Sequence, residues 1–319
     1  MLRQQVKEEL IYLLKNKLVI LLVALICVTS FSYSMQDIDV LRQEIKQFQK
    51  DKNELYGVGD SFDEKSYNND IKRKYNVQNE SNSGNEVLLI DNVIAYDKAE
   101  VEKRIGFFYG TYIFHMSLNT MYSFFVLVIA VLGVIIITED NENCVKRIKV
   151  SRIGKDLYFV GKLITGIICS FIMLIVSWIM VSMVYYMEYR IYISKNIAEF
   201  KPKVLSSKSD ILMKISIMSL IAIFMLSVGI LVGGIVKKSF VSIVVLVVYG
   251  IMVPIKWKYQ SGISIKILSN RIFDNLSEVH TVYNIPYKIS SYKAVFILLC
   301  YIVLTIFISY YINKKQSAY

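Results

Sequence analysis

Apolar stretches almost free of charge recur along this chain, separated by polar connections. Leu18–Ile26, Phe124–Ile137, Leu163–Met180, Ile215–Val236 and Ala294–Ile308 lie in segments of roughly the 17–25 residues a helix needs to cross a bilayer. A core helix of a water-soluble protein carries a polar stripe, and these stretches carry none. Pro202, Pro254 and Pro286 fall at or beyond the ends of the apolar runs, so nothing interrupts the long helices. The pattern predicts an all-α polytopic membrane protein with six transmembrane helices, over 17–35, 114–138, 159–186, 211–236, 239–256 and 293–312.

An even number of spans places both termini on one side, and basic residues choose the side. The leader holds four Lys or Arg, the 139–162 connection six, the Lys237–Lys238 turn two and the Lys314–Lys315 tail two. The opposite loops, 187–210 and 256–293, hold eleven between them. This bias predicts cytoplasmic termini, including a tail over 313–319. The leader MLRQQVKEELIYLLKNK contains Glu8 and Glu9 and feeds an apolar run that reaches Ser30. It reads as the start of a retained first helix, not a cleaved signal.

Residues 36–113 form a predicted extracytoplasmic helical insertion between the first two spans. Ile38, Leu41, Ile45, Phe48 and Leu55 recur at helical spacing, so the first span is expected to continue outward as a helix with one narrow apolar seam that needs a partner. The return segment offers Val87, Leu88, Leu89, Ile90, Val93 and Ile94, then Asp97 as an expected N-cap with Glu100 three residues on. The polar stretch of residues 65–86 between them, rich in Asn and Ser, is expected to be a mobile tip. A solvated spacer and a substrate-handling or partner-docking element both fit this composition.

Charge and candidate chemistry narrow the function. The chain is 55% apolar with a formal net charge of +11. Its basic residues gather beside the apolar runs, where they face anionic lipid, and form no stripe interleaved with exposed aromatics, so nucleic acid is not an expected partner. Cys27, Cys144, Cys169 and Cys300 have no paired spacing, which argues against a disulfide framework or a zinc site. His115 and His280 have neither Cys nor carboxylate at ligand or triad spacing, and no GxSxG, HExxH or CxxC pattern occurs. No catalytic residue, metal ligand or bound cofactor is therefore expected, and a membrane-embedded enzyme is disfavoured.

No Asp, Glu or Arg lies inside a predicted span, which disfavours an ion-coupled transporter. Lys214, near a span end, is expected to snorkel to the outer surface. Gly154-Lys155 and Gly161-Lys162 are followed by Asp and Leu, so neither completes a phosphate-cradling Walker A loop. If the chain moves something, another subunit supplies the energy.

The connection TEDNENCVKRIKVSRIGKDLYFVGKLITG carries the most information. It opens on Glu139, Asp140 and Glu142, becomes a short basic helix around Val145–Ile153, and re-enters through Tyr158, Phe159, Gly161 and Lys162. This resembles the permease subunits of type-2 ABC exporters, the ABC-2 family. In that family an acidic residue ends the second span, a cytoplasmic coupling helix follows, and a basic Ser-Arg segment leads to Gly-Lys at the third span. The correspondence falls on Glu139, on Ser151 and Arg152, and on Gly161 and Lys162. The leader, residues 1–16 with Leu2, Val6, Leu10 and Leu13, is similar to the family's amphipathic connecting helix. The segment 257–292, between the last two spans, corresponds to the family's outward re-entrant hairpin. The chain departs from the family at Asn141-Glu142-Asn143-Cys144, where many members have a glycine, and its insertion is larger than in simple members.

The resemblance implies an exporter permease in the cell membrane that pairs with a cytoplasmic ABC ATPase and with a second permease, identical or related. ATP would bind the partner and not this chain. The coupling loop 139–158, with Asp140 at its acidic start, and the beginning of the third span would transmit its work, with Lys146, Arg147, Lys149, Arg152 and Lys155 touching the ATPase or membrane lipids. Gly229, Gly233 and Gly234 form a close-packing motif, either between subunits or within one. An apolar interior suits an amphipathic substrate: a peptide such as a bacteriocin, a lipid or a drug. The Lys, Ile, Asn and Tyr richness suggests a low-GC Gram-positive bacterium. The competing reading is a membrane receptor or scaffold whose outer insertion binds a ligand without transport.

Overall fold

The computed structural model describes residues 2–56, 93–142, 146–193, 200–202, 205, 207, 209–252, 261–273 and 289–316. Within them the regular elements are all helical. In order they are α1 (Leu2–Lys15), α2 (Lys17–Tyr56), α3 (Val93–Phe107), α4 (Tyr112–Glu142), α5 (Lys146–Ile153), α6 (Lys155–Glu188), a π-helical turn (Tyr189–Ile193), α7 (Ile211–Val236), α8 (Ser239–Met252), α9 (Ser261–Ile272) and α10 (Ser291–Gln316).

The breaks have local causes. Asn16 separates α1 from α2, its side chain accepting the Leu18 amide at 2.9 Å as an N-cap does. Gly154, at φ +83°, separates α5 from α6 in a conformation that glycine adopts without strain. Lys237 ends α7 in the left-handed region, φ 65°, its amide returning to the Gly233 carbonyl at 2.9 Å.

Four helices are long and apolar enough to cross a membrane, within Lys17–Lys50, Lys155–Ile191, Ile211–Val236 and Ser291–Lys315. A fifth is α4, bent by 53° between Tyr122 and Phe124, if its halves count as one span. The protein is thus a multi-pass membrane protein. Of the predicted span 239–256, α8 covers Ser239–Met252, and the remainder lies outside the described residues.

The chain divides into two compact units. The first comprises Met1–Phe31, Phe114–Met183 and Ser207–Tyr319. Its apolar core gathers Ile26 of α2, Phe125, Ile129 and Ile136 of α4, Met173 of α6, Met218 and Leu226 of α7, and Leu298 of α10. The glycines of α7 pack within the subunit: a Cβ at Gly229 would collide with the Ala130 carbonyl of α4, and one at Gly233 would meet Ile137. Gly234 instead lies near the Asn313 amide of α10. Lys214 does not snorkel. It is 0% exposed, and its Nζ donates to Asn119 Oδ1 at 3.1 Å, because its place on α7 turns it toward α4.

The second unit comprises Ser32–Ile113 and Val184–Ser206. The seam of α2 buries Ile38, Leu41 and Phe48, and Phe48 meets Phe200 edge to face at 5.2 Å. Arg104 of α3 pairs with Glu44 of α2 at 2.7 Å, and Phe108 packs on Tyr185 with centroids 5.6 Å apart. Part of the seam's partner is therefore the 184–206 segment, assigned by sequence to a span end and an outer loop. Asp97 is not an N-cap: α3 begins at Val93, and Asp97 shares the buried face of Val101, Ile105 and Phe108 at helical spacing. Val87 to Ile90 and the polar tip lie outside the described residues.

Candidate functional site: an ionic junction of four helices

The C-terminal end of α4 carries two consecutive carboxylates that face different neighbours. Glu139 Oε1 accepts the Tyr12 hydroxyl and the Asn16 amide, each at 2.9 Å. Asp140 points inward and is 4% exposed. Its Oδ1 takes Lys149 Nζ at 2.9 Å, and its Oδ2 takes both Lys162 Nζ and the Tyr158 hydroxyl at 2.8 Å.

Glu9 of α1 completes the arrangement. It is also 4% exposed, with Oε1 on Lys149 at 2.6 Å and Oε2 on Lys162 at 2.8 Å. Two carboxylates and two ammonium groups thus alternate around a ring supplied by α1, α4, α5 and α6. Every carboxylate oxygen has a donor and the ring carries no net charge, which is what allows four ionic groups to leave water. Its edges differ: the Lys162 side chain is 3% exposed, that of Lys149 31%.

Outside the apolar helices the electrostatics follow from these contacts. Burial disfavours the charged form of Lys149, but the bonds to Asp140 and Glu9 outweigh it and hold its ammonium above the ordinary lysine range. The bond to Glu139, then burial, pushes the Tyr12 hydroxyl up. Lys146 is pushed down, by burial first and then by the like charge of Lys237, while its Nζ donates to Asn313 Oδ1 at 3.3 Å.

The structure brings together three residues that the sequence singled out, Asp140, Lys149 and Lys162, with Glu139 alongside. Gly161 lies where α1 crosses α6: a Cβ there would come within 2.5 Å of the Gln5 amide, whose Nε2 donates to the Tyr158 carbonyl. Lys146 is turned to α10. Arg147, Ser151 and Arg152 are exposed along α5, with Ile148 between them at 60% exposure, and Lys155 is half-buried at the start of α6. Gly229, Gly233 and Gly234 belong to the α7 packing and not to this junction.

Glu9, Tyr158, Tyr12 and Gln5 are functional candidates that sequence reasoning passed over. A signal for Glu9 exists: Gln5, Glu9 and Leu13 recur every four residues and form the buried face of α1. Beside the ring, a groove of about 600 Å³ opens between α1 and α5, with Glu8, Glu9 and Tyr12 on one wall and Lys149, Arg152 and Ile153 on the other. Among the described residues no group of three or more His, Cys, Asp or Glu side chains is placed to hold a metal ion. No family model, curated protein or solved structure matches the chain.

Proposed function

We propose that this chain is the membrane-spanning subunit of an ATP-driven exporter of the ABC-2 permease type, with six spans and both termini cytoplasmic. In this reading it takes mechanical work from a separate nucleotide-binding subunit and moves an amphipathic molecule, a peptide, lipid or drug, out of the cell. Two copies, or this chain with a related permease, form the pore with two ATPases.

One arrangement supports the reading above all others. The short helix α5 is fastened by Lys149 to both α1 and α4, while Arg147, Ile148, Ser151 and Arg152 stay exposed. A partner that pushes on the solvent-exposed face of α5 therefore moves α1, α4 and α6 together, because Glu9, Asp140 and Lys162 tie all three into the same ring. A lever must be stiff where it meets the load and open where it is pushed, and α5 has both properties. The groove between its basic wall and the Glu8 wall of α1 offers the partner a charged seat.

Affinity purification of the chain from its native membranes, followed by immunodetection of the nucleotide-binding subunit, tests this. Arg147→Glu combined with Arg152→Glu is expected to lower the recovered subunit by about tenfold or more, the scale of losing central interface contacts. Both side chains are exposed, so the variant retains its fold. Phe240→Ala, at an exposed position on α8, is expected to leave recovery unchanged. Absence of an ATPase from the wild-type preparation, or equal recovery with all three proteins, sinks the proposal.

A further inference from the structure

The ionic ring joins α1, α4 and α6 to α5 and leaves α10 out, yet α10 reaches the same corner of the chain. Its last turns carry Tyr310, Asn313 and Lys314. Asn313 is 5% exposed, and its Nδ2 donates to the Ser309 carbonyl at 2.9 Å. That bond fixes the amide so that Oδ1, an acceptor, takes Lys146 Nζ of α5 at 3.3 Å. Tyr310 grips the other arm. Its hydroxyl donates to Asp156 Oδ1 at 2.7 Å and accepts from Lys314 Nζ at 3.1 Å, and its ring meets the buried Phe159 edge to face at 5.7 Å. Asp156 lies in the first turn of α6, where the helix dipole favours a carboxylate.

Lys146 opens α5 and Asp156 opens α6, with Gly154 at the bend between the two helices. Gly154 sits at φ +83°, and a Cβ built on it would meet nothing within 4 Å among the described residues. One end of α10 thus holds both arms of a corner whose own apex packs on nothing described, as a strap holds a hinge. The strap is anchored in the bundle: the Ser227 and Thr305 hydroxyls join α7 to α10 at 2.7 Å, and Asn313 lies beside Gly234 of α7.

The two attachments of the corner differ in strength. The ring is ionic and sealed on its Lys162 edge, whereas the Lys314 and Asp156 side chains are 54% and 65% exposed and Lys146 meets a neutral acceptor. Exposed and neutral contacts are the weaker kind, so a displacement of α5 opens the strap before it opens the ring.

We propose that the inner end of α10 is a releasable strap that holds the α5–α6 corner at its resting angle, with Tyr310 and Asn313 as its positioning residues. Closed, it makes α5 and α6 move as one piece. Open, it lets α5 pivot at Gly154 while Lys149 still ties α5 to the ring. That the strap restrains a lever rests on the exporter reading; the strap itself does not, and the chain alone decides it without an ATPase.

Hydrogen exchange on the full chain in detergent reads the strap directly. In Tyr310→Phe and in Asn313→Leu, peptides covering residues 146–158 are expected to exchange about threefold to tenfold faster than in the wild type, the effect of losing one hydrogen bond on a local opening. Peptides covering 215–230 of α7 are expected to keep their rate, because the core is untouched. Lys146→Met removes the donor to Asn313 and Asp156→Ala the acceptor of Tyr310. Each is expected to match the variant of its partner, and Lys146→Met with Asn313→Leu, or Asp156→Ala with Tyr310→Phe, is expected to exchange no faster than the faster single variant. Wild-type exchange over 146–158 in both Tyr310→Phe and Asn313→Leu, an acceleration that spreads equally to 215–230, or fully additive double variants would each overturn the proposal. Should Asn313→Leu not fold, Tyr310→Phe, which keeps the ring on Phe159, decides it. A strap confirmed in a chain that recovers no nucleotide-binding subunit would leave the hinge standing and remove the exporter reading alone.

Discussion

Lys162→Met is expected to lower the unfolding free energy of the chain by about 3–5 kcal/mol, the range found when one partner of a buried ion pair is removed and the other is left charged. The side chain lies 3% exposed between Glu9 Oε2 and Asp140 Oδ2, at 2.8 Å from each. Without it the ring holds two carboxylates and one ammonium, and a net negative charge is left on side chains of residues only 4% exposed. Lys149→Met deletes the same kind of group from the open edge, where the side chain is 31% exposed and solvent can take its place. Its expected cost is only about 1 kcal/mol, near the upper end for exposed pairs. Adding Glu9→Gln to Lys162→Met restores neutrality, so the double variant is expected to be more stable than Lys162→Met alone, a non-additivity that a double-mutant cycle measures. Denaturant titration in a mild detergent of the wild type, Lys149→Met, Lys162→Met, Glu9→Gln and the double variant provides the values that both comparisons need. Equal losses at Lys149 and Lys162 would show that the ring has no buried edge.

How far the sequence reveals this molecule depends on the range of the interactions that decide each feature. The helix over 211–236 and the short basic helix near 145–153 were readable because their causes are local: a charge-free run, a lysine pair, a glycine at position 154. The continuation of the first apolar run into α2 was readable for the same reason, since Ile38, Leu41 and Phe48 keep the helical period. Around the junction, Glu139 and Lys162 stood out in the motif that resembles the ABC-2 pattern, and Asp140 only as part of the acidic start of the same loop. Their partner Glu9 did not, because it lies 153 residues from Lys162 and no local rule pairs them. Glu8 and Glu9 look alike in the sequence, yet one is exposed and the other sealed, a distinction made only when α1 lies against Gly161. The partner of the α2 seam was hidden likewise, since Phe200, which meets Phe48, follows a span and reads as part of its outer loop. Lys214 misled in the opposite direction: position suggested a snorkelling cation, and the uncharged Asn119 that receives it is 95 residues away.

Gly229→Val is the substitution expected to do most damage to the helix packing, because its obstacle is backbone. A single Cβ at Gly229 of α7 would run into the Ala130 carbonyl of α4, and a Cβ at Gly133 of α4 would meet the Leu226 carbonyl in return. A flexible side chain can rotate away from an intruding methyl group; a helical carbonyl can move only with its helix. Gly229→Ala is therefore expected to cost about 1–3 kcal/mol, the usual range for overpacking, and the branched valine more. Gly234→Ala supplies the contrast, since its Cβ would meet only the end of the Asn313 side chain at 3.4 Å, an ordinary contact. Its effect is expected to stay within about 0.5 kcal/mol. The same pair of variants decides what the glycine motif is for. If it holds α7 to α4 inside one subunit, Gly229→Val lowers the thermal midpoint of the chain at every protein concentration. A motif that joined two subunits would instead leave the isolated chain as stable as before and make the midpoint depend on concentration. Light scattering alongside thermal unfolding separates the two, and a concentration-dependent midpoint in the wild type that vanishes in Gly229→Val would reverse the assignment.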